Sequence, residues 1–360
     1  MSEDGTSETV PGACEPHIGL ILALTIRGLA VGRYPEMARV ARAAESHGFD
    51  SVWLCDHFLT LSPDDYIRSA GIAAGPESGG TVQQSGSSSL PLLESWTALS
   101  ALSRDTATVR LGTSVLCNSY RYPAVLAKMA ATLDVISGGR LELGLGAGWF
   151  QQEYEAYGIP FPPARERVTA LGESLQVMRR VWTDPHPAFH GDFYSIDGAV
   201  CDPPPLQKPH PPLWVGGEGP RIHRIATRHA DGINVRWWPA AKYAERRALL
   251  DRECEAIGRD PASLRLSITT LLAPTDSTAE QDELRARFKS IPGTGLITGT
   301  PQECLERIRT YQDAGIDHFL FTIPDIADST YLDVVGEQIL PHIKPARHTQ
   351  PATTHRRTTP

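Results

Sequence analysis

The chain has 360 residues, 41% apolar and 21% charged, so it is an ordinary globular protein long enough for a large core. Its formal charge of -8 repels phosphate backbones and speaks against nucleic acid as a partner. There is no basic-then-apolar leader and no apolar stretch of membrane-spanning length, and the six cysteines show neither metal-ligand nor disulfide-framework spacing, so the expectation is a cytoplasmic protein with no bound metal.

Residues 1–16 are polar and rich in Gly and Pro and read as a flexible lead. Residues 344–360, which carry Lys344, Arg347, Arg356 and Arg357, read as a disordered tail. Between them, 17–343 keep one rhythm. Short apolar runs fall at 19–24, 51–55, 110–115, 140–145, 213–216, 232–235, 264–270 and 318–322. They lack in/out alternation, as strands buried on both faces do. Helical periodicity predicts helices at 34–47, 93–104, 123–136, 165–182, 219–229, 240–257, 278–289 and 301–314. In "AESHGFDSVWL", "RHADGINV" and "QDAGIDHFLF" a helix ends at Gly or Asp-Gly and a buried strand starts at once. Eight such units predict an α/β fold, the (β/α)8 TIM barrel, as one domain. Two insertions interrupt it, after strands 2 and 4. Residues 62–90 are Gly/Ser-rich, and 183–212 hold a hairpin at 189–194, turning on Gly191 and Asp192, then an extended Pro-rich segment. Both are expected to frame a pocket at one end of the barrel.

Barrel chemistry sits at the C-terminal ends of strands. The second strand ends in "WLCDHF", which puts the titratable pair Asp56 and His57 at the mouth. A packed, hydrogen-bonded histidine at a strand end is the structural alternative. The third strand, "LGTSVLCNSYRYP", has small residues Gly112, Thr113 and Ser114 ahead of Val115, which suits close approach of a planar ring or an ordinary strand. In "LELGLGAGWFQQEY" Gly144, Gly146 and Gly148 alternate, which is not the dinucleotide fingerprint. The fifth strand runs "LWVGGEGP" into a helix. Gly216, Gly217, Glu218 and Gly219 therefore form a candidate phosphate cradle at a helix N-terminus, or a plain tight turn. Arg236, Trp237 and Trp238 at the next strand end suit packing against a ring or substrate, or a structural edge.

Taken together, "AESHGFDSVWLCDHF", "VISGGRLELGLGAGW" followed by "AYGIPF", "HGDFYSI" and "PPLWVGGEGP" resemble the luciferase-like monooxygenase family, over about 18–340. Within it the chain looks most like the branch that uses coenzyme F420, an 8-hydroxy-5-deazaflavin. The resemblance implies that His57 is an acid/base beside the reactive carbon and that Asp56 touches the deazaflavin side. It also implies a non-prolyl cis peptide at Ser114 and Val115 behind the ring, a ring contact from Gln152, and phosphate binding by Gly216, Gly217, Glu218 and Gly219. The implied reaction is hydride transfer between reduced F420 and a small organic, possibly natural-product, substrate, more as reductase than as dehydrogenase. An FMN-dependent monooxygenase fed by a separate reductase is the alternative, and a non-catalytic flavin-binding protein a third reading. Relatives imply a homodimer. Sugar-phosphate dehydrogenases of this branch carry a catalytic glutamate where this chain has Trp149, which argues against glucose 6-phosphate and for an apolar or aromatic substrate.

Overall fold

The computed structural model describes residues 16–24, 26, 29–61, 66, 91–291, 295–327 and 330–344. Residues 1–15 of the lead, the tail beyond Lys344 and nearly all of the Gly/Ser-rich insertion lie outside these residues, and with them the expectations made for those segments.

The strands, in chain order, are β1 (His17–Ala23), β2 (Ser51–Leu54), β3 (Arg110–Thr113), β4 (Leu116–Cys117), β5 (Leu141–Gly146), β6 (Ala188–His190), β7 (Ser195–Asp197), β8 (Leu213–Gly216), β9 (Gly232–Arg236), β10 (Arg265–Pro274), β11 (Leu296–Gly299) and β12 (His318–Thr322). The helices are α1 (Tyr34–Ser46), α2 (Ser95–Asp105), α3 (Pro123–Ser137), α4 (Gln151–Ala156), α5 (Ala164–Thr183), α6 (Pro220–His229), α7 (Ala240–Glu255), α8 (Thr278–Arg287) and α9 (Pro301–Asp313), before a last helical stretch over 331–343. β1, β2, β3 with β4, β5, β8, β9, β10 and β12 pair in parallel, and β12 closes on β1. This is the expected (β/α)8 barrel. All eight predicted strands and all eight predicted helices are present, within a few residues at each end.

Several details differ from the sequence reading, among them the short helix α4 and the helical stretch over 331–343, which the eight predicted helices do not include. The third strand is broken in two, because the peptide between Ser114 and Val115 is cis and interrupts the ladder. β11 was not anticipated; it is four residues long and pairs with the outer end of β10, at Leu271 to Pro274. The hairpin of the second insertion exists as β6 and β7, with Gly191 N–H donating to Tyr194 C=O at 2.9 Å. The Glu173 carboxylate on α5 holds its turn, accepting from the backbone N–H of Asp192, Phe193 and Tyr194. The hairpin braces the segment after β4, through Asn118 to Tyr194 Oη and Tyr122 Oη to Ser195 C=O, and does not line the barrel mouth.

The N-terminal end of the barrel is plugged by rings. His318 stacks on Trp214 at 4.3 Å and on His17 at 4.6 Å, with Trp53 edge-on at 5.5 Å. Trp214 Nε1 donates to Glu142 at 2.7 Å, and Trp53 Nε1 to Ser51 Oγ at 2.7 Å. The plug explains strand glycines that periodicity leaves ambiguous. A methyl at Gly112 would stand 2.1 Å from the Trp53 ring, and one at Gly232 2.2 Å from Trp214. Gly112 thus makes room for a core tryptophan rather than for a bound ring.

Burial holds His318 well below the ordinary value of 6.5, and burial with the Arg246 charge holds His223 down at about 4. Such histidines gain protons only on unfolding, so the unfolded chain binds more protons once the pH drops below 6.5. Stability is therefore complete above about pH 7 and falls from 6.5 toward 4, by up to about 1.4 kcal/mol per pH unit for each group. Urea unfolding should show a lower midpoint at pH 5 than at pH 7.5; equal midpoints would contradict this account.

Candidate active site

The C-terminal strand ends open into a cavity of about 700 Å³, a size suited to a cofactor-sized molecule. Seven of the nine candidate site residues line it: Asp56, His57, Ser114, Val115, Gly216, Gly217 and Glu218. Gln152, on the first turn of α4, and Gly219, the N-cap of α6, lie beside it without lining it.

His57 leaves the end of β2 and meets a partner that sequence reading did not pick out. Its Nδ1 lies 2.9 Å from Glu153 Oε2 on α4. Glu153 is fully buried and accepts three more hydrogen bonds, from the backbone N–H of Phe58 (2.8 Å) and Leu59 (3.0 Å) and from Tyr120 Oη (3.0 Å). Burial and the neighbouring carboxylate push the Tyr120 phenol far up, so it stays protonated and donates. A carboxylate with four donors is adequately solvated by protein, and it fixes the imidazole with Nδ1–H toward Glu153. Nε2 makes no hydrogen bond among the described residues and is the atom left for chemistry. The Trp149 ring packs edge-on against the imidazole at 5.4 Å and stacks on Phe150 at 5.1 Å.

Asp56 is buried, and its carboxylate is fully committed. Oδ1 accepts from Ser95 Oγ (2.7 Å) and Arg121 Nη2 (3.1 Å); Oδ2 accepts from Cys117 N–H (3.0 Å) and Arg121 Nη1 (2.7 Å). It ties the ends of β2 and β4 to α2. The cavity thiols are not nucleophiles, since burial pushes Cys55 up to about 12 and Cys117 to about 11.

The alternating glycines have a packing reason. The Val115 side chain wedges against β5 and β8, and a methyl at Gly146 or Gly216 would stand 2.7 or 2.9 Å from its Cγ2. Thr113 Oγ1 exchanges hydrogen bonds with Gly144 C=O and N–H, at 3.0 and 2.9 Å, and repairs the ladder at the break. Beyond the wedge, Gly217 has φ 137, a backbone that other residues rarely adopt. The turn leads into α6, whose N-cap Gly219 makes no side-chain cap and whose added methyl would meet nothing within 4 Å. No side chain therefore occupies the positive end of α6 at Gly219, which leaves room there for a phosphate.

The far wall comes from β9, β10 and β1. Arg236 ends β9 and donates through Nη1 to Tyr66 Oη at 2.6 Å. Trp237 follows in a left-handed backbone, φ 59, which costs about 1–3 kcal/mol and persists only where surroundings enforce it. Among the described residues there is no cluster that could hold a metal and no helix long and apolar enough to cross a membrane.

A parallel eight-stranded barrel whose mouth joins an oriented histidine to an open glycine turn defines a small-molecule site of the (β/α)8 class. The sequence profile of the luciferase-like monooxygenases matches residues 19–292, and the chain belongs to that family. It is 31% identical to an F420-dependent glucose-6-phosphate dehydrogenase of Intrasporangium calvum, over 84% of this chain and 92% of that one. The enzyme of the same description from Gordonia bronchialis is 29% identical, over 86% and 93%. In fold it is similar to an F420-dependent secondary alcohol dehydrogenase solved with an F420-acetone adduct, with TM-score 0.74, 21% identity and 92% and 100% coverage. It is also similar to a long-chain alkane monooxygenase, with TM-score 0.71, 16% identity and 92% and 91% coverage.

Glu153→Gln preserves volume but replaces an oxygen that accepts from His57 or a backbone N–H with an NH2 donor. Turnover is expected to fall about 10- to 1,000-fold, and the ¹⁵N shifts of His57 to report a changed tautomer. Unchanged turnover and shifts would remove Glu153 from the site.

Proposed function

We propose that this chain is an oxidoreductase that binds coenzyme F420 with its phosphate on the turn at 216–219 and its ring toward Ser114, Val115 and His57, and that it works as a reductase on a small organic substrate. The observation that carries the reading is the single cavity that joins an uncapped glycine turn to an imidazole oriented by a buried carboxylate. Its dimensions and donor set fit a phosphate-bearing ring cofactor. When bound, that cofactor donates or accepts a hydride at a ring carbon.

The chain's own residues do the rest. Val115 supports the ring from behind, and Asp56 contributes by fixing the strand ends rather than through a spare carboxylate. His57 Nε2 gives or takes the matching proton, with Glu153 steadying its charge. Trp149 and Phe150 exclude water from the imidazole. F420-dependent relatives and fold neighbours support the choice of cofactor. Glucose 6-phosphate is not the proposed substrate, because an indole packs on His57 at the position where the resemblance implies a catalytic glutamate in sugar-phosphate dehydrogenases.

The second reading, an FMN-dependent monooxygenase served by a separate reductase, is favoured by fold neighbours such as a riboflavin lyase solved with modified FMN, with TM-score 0.70 and 17% identity. Fluorescence titration with each cofactor, together with oxygen electrode traces, separates the two. F420 is expected to bind at least about tenfold tighter than FMN with no oxygen uptake, and His57→Ala to keep that affinity while losing about 100-fold or more in turnover. Tight FMN binding with oxygen consumption would select the monooxygenase.

We also propose a cytoplasmic homodimer. Val125, Met129, Thr132 and Ile136 form a stripe at 4-3-4 spacing along α3, with Val125 57% and Ile136 44% exposed, beside Trp96 and Ser100 of α2. Val125→Glu is expected to convert a dimer into a monomer by light scattering; an unchanged mass would place the interface elsewhere.

A further inference from the structure

The proposed cofactor residues occupy only half of the mouth. They come from the ends of β2, the β3–β4 break, β5 and β8, which are neighbours in the barrel. The other half is walled by residues of β1, β9 and β10 and the segment after β9. Among the described residues that these strands and that segment contribute to the cavity, Arg236 carries the one ionisable side chain of the barrel wall; Lys242, exposed on α7, stands at the rim over Trp238.

Arg236 is incompletely satisfied. Its neighbours pair among themselves, Asn234 Nδ2 donating to Ser267 Oγ at 2.9 Å and Thr269 Oγ1 to Asn234 Oδ1 at 3.1 Å. Arg236 has the Tyr66 hydroxyl, but its Nε is sealed from solvent without a hydrogen-bond partner, and among the described residues no carboxylate lies within ion-pair distance. A guanidinium has five donors and cannot shed its proton, so it keeps its charge in this half-buried place. The carboxylates elsewhere in the cavity make no ion pair with it among the described residues. Asp56 is bound by Arg121, Glu153 by His57, Tyr120 and the backbone, and Glu218 is exposed on the phosphate turn. Around Arg236 the wall is aromatic, with Tyr66 edge-on to Trp149 at 5.3 Å and to Trp237 at 5.6 Å.

We infer that Arg236 is the substrate's anion anchor, and that the substrate is a flat, conjugated molecule bearing a carboxylate or phenolate oxygen. The rings of Trp149, Tyr66 and Trp237 accept its body, and the Arg236 fork pairs with its anionic oxygen. This rests on the proposed assignment of the other half of the mouth to the cofactor, and it narrows the substrate of that same site to planar acids.

The test uses the full-length protein and two probes alike in shape and different in charge, trans-cinnamate and cinnamamide, followed by quenching of tryptophan fluorescence. The wild type is expected to bind cinnamate roughly 10- to 100-fold tighter than cinnamamide. Arg236→Gln is expected to bring cinnamate to the level of cinnamamide, with F420 and FMN affinities unchanged, while Arg236→Lys keeps part of the preference. Thermal melts establish that both variants are folded. The assignment is overturned if cinnamate binds no tighter than cinnamamide at the solubility limit, or if both variants retain the full preference. It is also overturned if Arg236→Gln weakens cofactor rather than cinnamate, which would give Arg236 to the cofactor. Failure of the wild type to bind F420 and FMN alike would sink the hydride-transfer reading instead; the comparison of acid with amide needs no cofactor and stands apart from it.

Discussion

The barrel mouth is organised around one buried carboxylate. Taking Glu153 out of water would cost several kcal/mol if its oxygens were unpaired. Its four donors come from two different segments, the turn after β2 and the 3-10 turn after β4, while Glu153 itself sits on α4. The three pieces must therefore meet before the carboxylate is satisfied. Phe58 reinforces the junction from outside, packed against Tyr120 at 4.8 Å and Tyr157 at 4.4 Å. The same arrangement that removes the desolvation penalty also fixes the imidazole of His57, so the structural and the chemical requirements on Glu153 coincide.

This coincidence explains why half of the site is hard to see in sequence. His57 is legible because a histidine after a buried strand must stand at the mouth, and the turn at 216–219 because its glycines run straight into a helix opened by Pro220. Glu153 is not, since its partner lies 96 residues away and one acidic residue in a helix start carries no mark of pairing. Only the structure reveals it, where Glu153 and Tyr154 are the buried residues of α4. Gly112 misleads for a related reason, and Gly146 is silent for the same one. Absence of a side chain says that something approaches closely, and only the packing of Trp53 and Val115 says what.

The secondary structure was far more legible than the site. Strands buried on both faces leave continuous apolar runs, and the Gly or Asp-Gly before the strands at 51, 232 and 318 marks where a strand begins. What escaped were short pieces: α4, the helical stretch over 331–343, and β11, whose four residues pair on an extension of β10.

The two ends of the barrel show how one architecture separates stability from chemistry. At the floor, His17, His318 and Trp214 stack in turn with Trp53 edge-on to them, and the flanking glycines are trimmed to admit the tryptophans. At the mouth the rings stand as a wall instead. His57 meets Trp149 at 5.4 Å, Trp149 meets Tyr66 at 5.3 Å, and the Tyr66 hydroxyl meets Arg236 at 2.6 Å. Two polar points of different character are thus held at the ends of one aromatic chain. Each is fixed by a neighbour rather than by solvent, so the span between them changes little before a ligand arrives. On the roles proposed for His57 and Arg236, specificity would follow from the distance between a proton-transfer group and a charge, set by the rings between them.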